Sequence, residues 1–171
     1  MILPDYLAPG FENSRLRLVF CGTAAGHASA AAGHYYARPG NRFWGLLQEA
    51  GLTPRRFAPQ EDHLLPGLGI GLTDLAKEAS GMDHQIPPDA YSPARLAAVV
   101  SRFRPAALAF TSLTAARLAL CCGSIGAGRL RAGTAWPKMA LFALPSPSGR
   151  NGHFTREPWL DLGRWWQEDW Q

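Results

Sequence analysis

Short apolar runs alternate along the chain with helix-like stretches, and this alternation most constrains the fold. The runs Leu16–Cys21, Ala106–Thr111 and Met139–Leu144 are mostly apolar, which is typical of strands buried on both faces of a parallel sheet. A helix-like segment lies between one run and the next, as βαβ connections require. The pattern predicts an α/β fold, a single-domain three-layer sandwich with a mainly parallel central sheet flanked by helices.

The remaining segments can be assigned from the same periodicities and from their stop signals. Leu68–Leu75 alternates glycine with apolar residues and is predicted to be a short strand or turn beside the first strand. The glycine-rich stretch Gly123–Gly133 is predicted to be a loop. Helices are predicted over Asn41–Ala50, Ser92–Phe103, Leu113–Cys122 and Glu157–Trp170.

The length and composition limit the class of protein. With 171 residues, of which 47% are hydrophobic and 18% charged, we expect one domain over residues 1–171, with a core of about 14–170. No apolar run approaches a bilayer span, so we expect no membrane partner. The first ten residues lack the features of a secretory signal.

The spacing of the cysteines indicates the redox compartment, and the charge composition indicates which partners to expect. The three cysteines and five histidines have no spacing typical of a disulfide framework or a zinc site, so we expect a reducing, cytoplasmic location and no metal. No phosphate-binding loop or dinucleotide motif is present, so we expect no cofactor. Of the 17 basic residues 15 are arginine, which suits phosphate binding. Codon bias in a GC-rich genome is the alternative, and composition alone favours it.

Two loops follow predicted strands, Gly22–Asn41 and Pro145–Phe154. If those strands are parallel, both loops lie at the carboxyl edge of the sheet, where ligands bind in such folds. Tyr36 on the first loop could stack on a base, or could simply pack against the core. Asn41 could direct its amide into a cavity, or could cap the helix that follows it.

The second loop carries groups suited to a DNA backbone. The hydroxyls of Ser146 and Ser148 can bind phosphates, and Arg150 at the tip could enter a duplex as a wedge where a base has left. A plain surface turn with a solvated arginine is the alternative. On the first loop, His27 and His34 are weaker candidates for catalysis, because a loop histidine is more often solvated.

Several motifs, taken in order, carry a family resemblance. The segments Phe20-Cys-Gly-Thr-Ala-Ala-Gly26 and Gly33-His-Tyr-Tyr-Ala-Arg-Pro-Gly-Asn-Arg-Phe-Trp44 resemble the first half of the mismatch-specific uracil/thymine-DNA glycosylases. Gly69–Leu75 resembles their middle segment, and Leu144-Pro-Ser-Pro-Ser-Gly-Arg150 resembles their DNA-binding motif. The most specific of these matches are Pro39–Trp44 and Leu144–Arg150. The resemblance implies the uracil-DNA glycosylase fold and a monomeric, monofunctional DNA-repair hydrolase. Such an enzyme hydrolyses the N-glycosidic bond of a uracil flipped out of double- or single-stranded DNA and leaves an abasic site. No cofactor or metal is implied.

The resemblance also implies roles for individual residues. Tyr36 would stack on the base, while backbone amides around Thr23 and Ala24 would bind its carbonyl oxygens. The residues implied to hold the phosphates are Ser146, Ser148 and Gly149, with Arg150 as the wedge. Arg38 and Arg42 also lie in a matched motif, and we expect them at the DNA edge.

One departure from the family pattern shifts the expected catalytic residue. The mismatch-specific branch has an asparagine that positions the attacking water where this chain has Ala24. In the related hypoxanthine-DNA glycosylase branch the catalytic asparagine lies in the segment that matches Asn41, so the resemblance favours Asn41. Asp74, the only carboxylate in a matched motif, is the second candidate, because it could orient water and stabilise the sugar cation.

The same departure keeps two other functions open. A hypoxanthine-DNA glycosylase would use Asn41 without an asparagine at position 24. A catalytically silent binder of damaged or single-stranded DNA would keep the DNA-binding motifs and lack turnover.

Overall fold

A single sheet organises the protein and positions its functional edge. The structure, a computed structural model, describes residues 1–8, 15–131 and 136–168. Within these residues the sheet has five strands: β1 (Leu18–Ala25), β2 (Ile70–Ser80), β3 (Ala107–Phe110), β4 (Gly128–Leu130) and β5 (Ala140–Ala143). The strand order is β2-β1-β3-β5-β4, and every neighbouring pair is parallel except β4 and β5. The predicted mainly parallel sheet is confirmed.

Helices cover both faces of this sheet. The described residues contain five α-helices: α1 (His27–Ala32), α2 (Phe43–Glu49), α3 (Pro93–Phe103), α4 (Leu113–Leu120) and α5 (Glu157–Glu168). They also contain 3₁₀ helices over Pro59–Leu68, Asp83–Gln85 and Pro88–Ala90. Leu18 and Phe20 of β1 pack with α2 and α5 in one apolar cluster. Val19 and Cys21 pack with α3 and α4 in the other. This is the predicted three-layer sandwich.

Two predicted loops contain regular structure. Gly123–Gly133 was predicted to be a loop, but β4 lies within it and pairs antiparallel with β5 at the sheet edge. A three-residue edge strand with half-exposed side chains has no apolar run to reveal it. Likewise, the predicted loop Gly22–Asn41 contains the end of β1 and all of α1, because small residues there give no periodic signal. Residues 132–133 of the first segment lie outside the described residues.

The other predicted elements are confirmed with small changes in their bounds. The segment predicted as a short strand or turn is the long strand β2, and it lies beside β1 as expected. The last helix is described to Glu168, and residues 169–170 of its predicted range lie outside the described part. Among the described residues no helix is long and apolar enough to cross a membrane.

The strand register brings three positions to one level of the sheet. Gly22 of β1 lies opposite Asp74 of β2, and Cys21 lies opposite Phe110 of β3. Thr111, which follows Phe110, therefore ends level with Gly22 and Asp74 at the carboxyl edge. Because consecutive strand residues alternate between faces, these three positions share the face that packs against α2 and α5.

Candidate active site

A cavity of about 920 Å³ opens at the carboxyl edge of the sheet. Both loops singled out in the sequence line it, because β1, β3 and β5 are parallel and end at the same edge. The predicted site residues that line it are Thr23, Ala24, Tyr36, Asn41, Asp74, Ser146, Ser148 and Arg150. Gly149 and His34 are not part of the lining.

The floor of the cavity is a cluster of three oxygen atoms above Gly22. A Cβ atom on Gly22 would lie 2.6 Å from Asp74 Oδ1, 3.2 Å from Thr111 Oγ1 and 3.4 Å from the Tyr36 hydroxyl. Glycine is therefore needed at this position to let the Asp74 carboxylate lie over the strand. The three oxygens can contact a polar ligand only because no side chain fills the space between them.

Asp74 is the acidic group of this floor. Only 5% of the residue is exposed, and burial raises the pKa of its carboxyl to about 6, although the charge of Lys77 acts in the opposite direction. The nearest cation is the Lys77 ammonium, 3.9 Å from Asp74 Oδ2. A carboxyl with this pKa can exchange a proton near neutral pH, as a general base must.

Tyr36 forms a wall of the cavity and is held from two sides. Its ring stacks on Phe43 with a centroid distance of 3.9 Å, and its hydroxyl is hydrogen-bonded to Thr111 at 3.0 Å. The backbone of Tyr36 is left-handed, with φ 51°, a conformation that costs energy in a non-glycine residue and is common at functional sites. Tyr36 is half-buried rather than fully exposed, so it both packs and lines the cavity.

Asn41 contacts the start of α2 but is not its N-cap residue, which is Arg42. Its side-chain Oδ1 accepts a hydrogen bond of 2.9 Å from the backbone N–H of Phe43, the first residue of α2. Within the described residues its Nδ2 makes no hydrogen bond, and Asn41 lines the cavity. The two alternatives for Asn41 are therefore compatible, because the oxygen is held by the helix and the amino group stays available as a donor.

The two motif loops are joined directly to each other. The backbone N–H of Arg42 donates to the Pro147 carbonyl at 2.8 Å. A Cβ atom on Gly149 would lie 2.8 Å from the Gly40 carbonyl oxygen, so only glycine permits this approach. Arg42 is half-buried, does not line the cavity, and stacks over Phe154 at 4.5 Å. Arg38 lines the cavity, whereas the placement of Arg42 at the DNA edge stays a prediction.

Serine side chains shape the second loop. Ser146 Oγ accepts from the Ser148 N–H at 3.3 Å, and Ser148 Oγ accepts from the Arg150 N–H at 3.2 Å. Both hydroxyls keep their hydrogen for another acceptor, as a phosphate contact would require. Arg150 is exposed, and its Nη1 lies 3.4 Å from the sulfur of Met82 on the opposite rim.

Other candidates are engaged elsewhere. The Thr23 hydroxyl donates to Asp83 at 2.7 Å, so base contacts at Thr23 are left to its backbone. His27 lines the cavity and contacts Gln85 at 3.1 Å. His34 instead lies 3.2 Å from the fully buried Asp62, outside the cavity. No cluster of three or more acidic, histidine or cysteine side chains among the described residues could hold a metal ion.

The comparison with known families agrees with this geometry. A family model for the uracil DNA glycosylase superfamily matches residues 9–168. The chain belongs to this superfamily. Membership indicates a DNA glycosylase, a hydrolase that acts on DNA in base excision repair.

Two parts of this candidate site were not predicted. Thr111 anchors Tyr36, and a residue directly after a buried parallel strand could have been recognised as a site position from the sequence. Met82 and Asp83 on the rim carry no comparable signal, because only the path of the chain after β2 brings them to the cavity.

Proposed function

We propose that this member of the superfamily is a uracil-DNA glycosylase that acts as a cytoplasmic monomer. It would hydrolyse the N-glycosidic bond of a flipped-out uracil in DNA and leave an abasic site. The observation that carries the proposal is the cavity that joins an aromatic wall, Tyr36, to a carboxylate floor, Asp74, and an amide donor, Asn41. Nothing in this scheme requires a cofactor.

Tyr36 and Asn41 would bind the base. One face of the Tyr36 ring is covered by Phe43, which fixes its plane for a flat ligand in the cavity. The free Nδ2 of Asn41 would donate to a carbonyl oxygen of the base. That donor stabilises the negative charge that develops on the departing base, which is often the largest contribution to catalysis.

Asp74 would act on the water and the sugar. Its carboxylate would accept a proton from the attacking water, whose oxygen bonds to C1′ as the bond between C1′ and the base nitrogen breaks. The bonding electron pair leaves with the base, which then takes up one proton, while Asp74 releases the proton that it accepted from the water and becomes a carboxylate again. In its ionised form Asp74 also stabilises the oxocarbenium character of the sugar in the transition state.

The second loop would hold the DNA backbone. The hydroxyl hydrogens of Ser146 and Ser148 and the backbone at Gly149 would contact phosphates, while Arg150 would fill the space that the flipped nucleotide leaves. The support of this loop by Arg42 and Gly40 would keep the phosphate contacts in register with the base-binding wall.

A hypoxanthine-DNA glycosylase is the second candidate. Ala24 and Ala28 line the cavity with short apolar side chains, which leaves room for the larger purine. The amide of Asn41 could donate to the hypoxanthine carbonyl oxygen in the same way as to a uracil oxygen.

Cleavage assays distinguish these functions. Single-turnover reactions are run on two oligonucleotides, one with uracil and one with hypoxanthine opposite thymine, and each is followed by alkaline cleavage. We expect strand scission to be faster at uracil than at hypoxanthine. Faster scission at hypoxanthine would assign the second function. No scission of either substrate at high enzyme excess, together with tight binding to an abasic-site analogue, would instead identify a silent DNA binder.

A further inference from the structure

A buried lysine lies behind the catalytic floor, and none of the proposed steps uses it. Lys77 is 5% exposed, and its Nζ donates to the Tyr35 hydroxyl at 2.8 Å. The same nitrogen lies 3.0 Å from Asp5 Oδ1 but 3.9 Å from Asp74 Oδ2. A buried ammonium is costly unless it is paired, and here its close partner is Asp5 rather than Asp74.

The strand irregularity that places Lys77 is local to β2. Ala24 of β1 pairs with Ala76, while the next residue, Ala25, pairs with Ser80. Residues 77–79 therefore have no partner on β1. Extra residues of this kind bend a strand and re-aim its side chains, and they are common beside active sites.

The N-terminal segment, residues 1–8, brings Asp5 to the lysine. Tyr6 pairs with Leu72 on the outer edge of β2, and the Ile2 N–H donates to the Lys77 carbonyl at 2.6 Å. Asp5 is half-buried between these contacts. This segment is therefore part of the wall behind the site, although its sequence is far from every motif.

Asp5 is held in place from α3 and β2. Arg95 Nη1 donates to Asp5 Oδ2 at 2.6 Å, and the Thr73 hydroxyl donates to Asp5 Oδ1 at 2.8 Å. Burial by itself would raise the pKa of Asp5. The charge of Lys77 and these hydrogen bonds outweigh burial and hold the pKa of Asp5 below its usual value. Asp5 is therefore ionised at neutral pH and competes with Asp74 for the ammonium.

In contrast, the Asp74 carboxylate accepts no hydrogen bond within the described residues. The ammonium at 3.9 Å stabilises its charge, but is too distant to donate a good hydrogen bond. Its proton affinity therefore depends on how closely Lys77 is allowed to approach. From these distances we propose that Lys77 and Asp5 are positioning residues that together set the proton affinity of the Asp74 carboxylate, Lys77 lowering it and Asp5 raising it by holding the ammonium back.

The other groups around Asp74 leave this pair in control. Arg95 is a third charge that acts on Asp74, and it contributes a hydrogen bond of 2.8 Å to the Asp74 backbone carbonyl. The remaining titratable neighbours are neutral, because burial and the charge of Asp74 raise the pKa values of Cys21, Tyr35 and Tyr36. Replacing Lys77 and replacing Asp5 should therefore change the pKa of Asp74 in opposite directions.

The proposal rests on the catalytic role given to Asp74, so its test needs a readout that does not depend on turnover. The carboxyl carbon of Asp74 is titrated by ¹³C NMR in the wild-type protein, Lys77→Met and Asp5→Asn, with Asp74→Asn identifying the resonance. Lys138→Met, at an exposed lysine, and Glu78→Gln, whose carboxylate pairs with the N-terminus at the surface, are the matched controls. Single-turnover rates are measured over the same pH range.

We expect Lys77→Met to raise the titration midpoint of the Asp74 carboxyl by about one pH unit, and Asp5→Asn to lower it by a similar amount. In the two control variants this midpoint should be unchanged. The acid limb of the rate profile should move with each midpoint. Equal midpoints in folded variants, or shifts of the same sign, would overturn the proposal. If the midpoints move as expected while the rate profile does not, the positioning role stands and the catalytic role of Asp74 is overturned. If Lys77→Met fails to fold, the direction of the midpoint shift in Asp5→Asn decides the test by itself.

Discussion

The Arg42 guanidinium donates a hydrogen bond of 2.7 Å to the backbone carbonyl of Ser148 and so joins the two motif loops. The loops are more than a hundred residues apart in the chain, and under the proposed function their relative position determines whether base contacts and phosphate contacts can form together. This hydrogen bond fixes that position through a side chain that does not face the cavity.

Replacing Arg42 by alanine should therefore weaken DNA binding indirectly. The change removes a charged hydrogen-bond donor and should lower the free energy of unfolding by about 1–3 kcal/mol. It should also weaken binding to abasic-site DNA, because the second loop loses one of the contacts that support it, the side-chain hydrogen bond to Ser148. Urea unfolding and fluorescence anisotropy measure the two effects. Arg156→Ala, which removes an exposed ion pair with Glu49, should cost less than about 1 kcal/mol and leave binding unchanged. Unchanged binding in Arg42→Ala would contradict the supporting role.

Asn41→Asp separates the contact of Asn41 with the start of α2 from its proposed catalytic role. Aspartate keeps an oxygen acceptor for the Phe43 N–H but has no amino group to donate to the base. We expect near wild-type stability and a single-turnover rate on uracil reduced by about 100-fold or more. Asn41→Ala should show the same fall in single-turnover rate and should also lose about 1 kcal/mol of unfolding free energy. Its single-turnover rate should be lower than that of Asp74→Ala. A fully active Asn41→Asp would show that Nδ2 does not contribute to catalysis.

The pH dependence of stability should reveal the buried Asp74. Burial raises the pKa of its carboxyl from the ordinary value of 3.8 to about 6, so the native state binds this proton more tightly than the unfolded state. The resulting stabilisation is fully present below about pH 4 and is lost as the pH rises through about 6. Asp74→Asn should therefore be more stable than the wild type at pH 7.5, and the difference should vanish towards pH 4. Urea unfolding at both values measures it, with the exposed Asp161→Asn as control. A pH-independent difference would exclude the raised pKa.

Arg150→Ala should affect duplex DNA more than single-stranded DNA. A single strand has no stacked gap to fill, so only the duplex reaction loses the wedge. We expect the single-turnover rate on duplex DNA to fall by roughly tenfold. This corresponds to about 1.4 kcal/mol, which is part of the few kcal/mol that unstacking a base costs. Single-turnover assays on both uracil substrates measure the ratio, and Arg164→Ala, far along α5, serves as control. Equal losses on both substrates would argue against a wedge.

The expected fold could be predicted from the chain because its signals are local. Continuous apolar runs predicted β1, β3 and β5, and Ser92 was correctly placed at the start of α3, where its hydroxyl accepts from the Arg95 N–H. The edge strand β4 was missed, since three residues of mixed burial are indistinguishable from a loop without their partner. The motifs likewise pointed to Tyr36, Asn41 and Asp74 because they lie in contiguous stretches that resemble a known family.

Hydrophobic periodicity and short motifs are properties of neighbouring positions, so the layer architecture, the family and the candidate residues could be recognised from the chain. The folded arrangement was needed to show that Asn41 lines the cavity while its Oδ1 accepts a hydrogen bond from the helix. The folded arrangement also places Asp5, the fifth residue of the chain, behind Asp74. Such relationships depend on distances between segments remote in the chain, and the electrostatics of a buried carboxylate depend on those distances and on the exclusion of water.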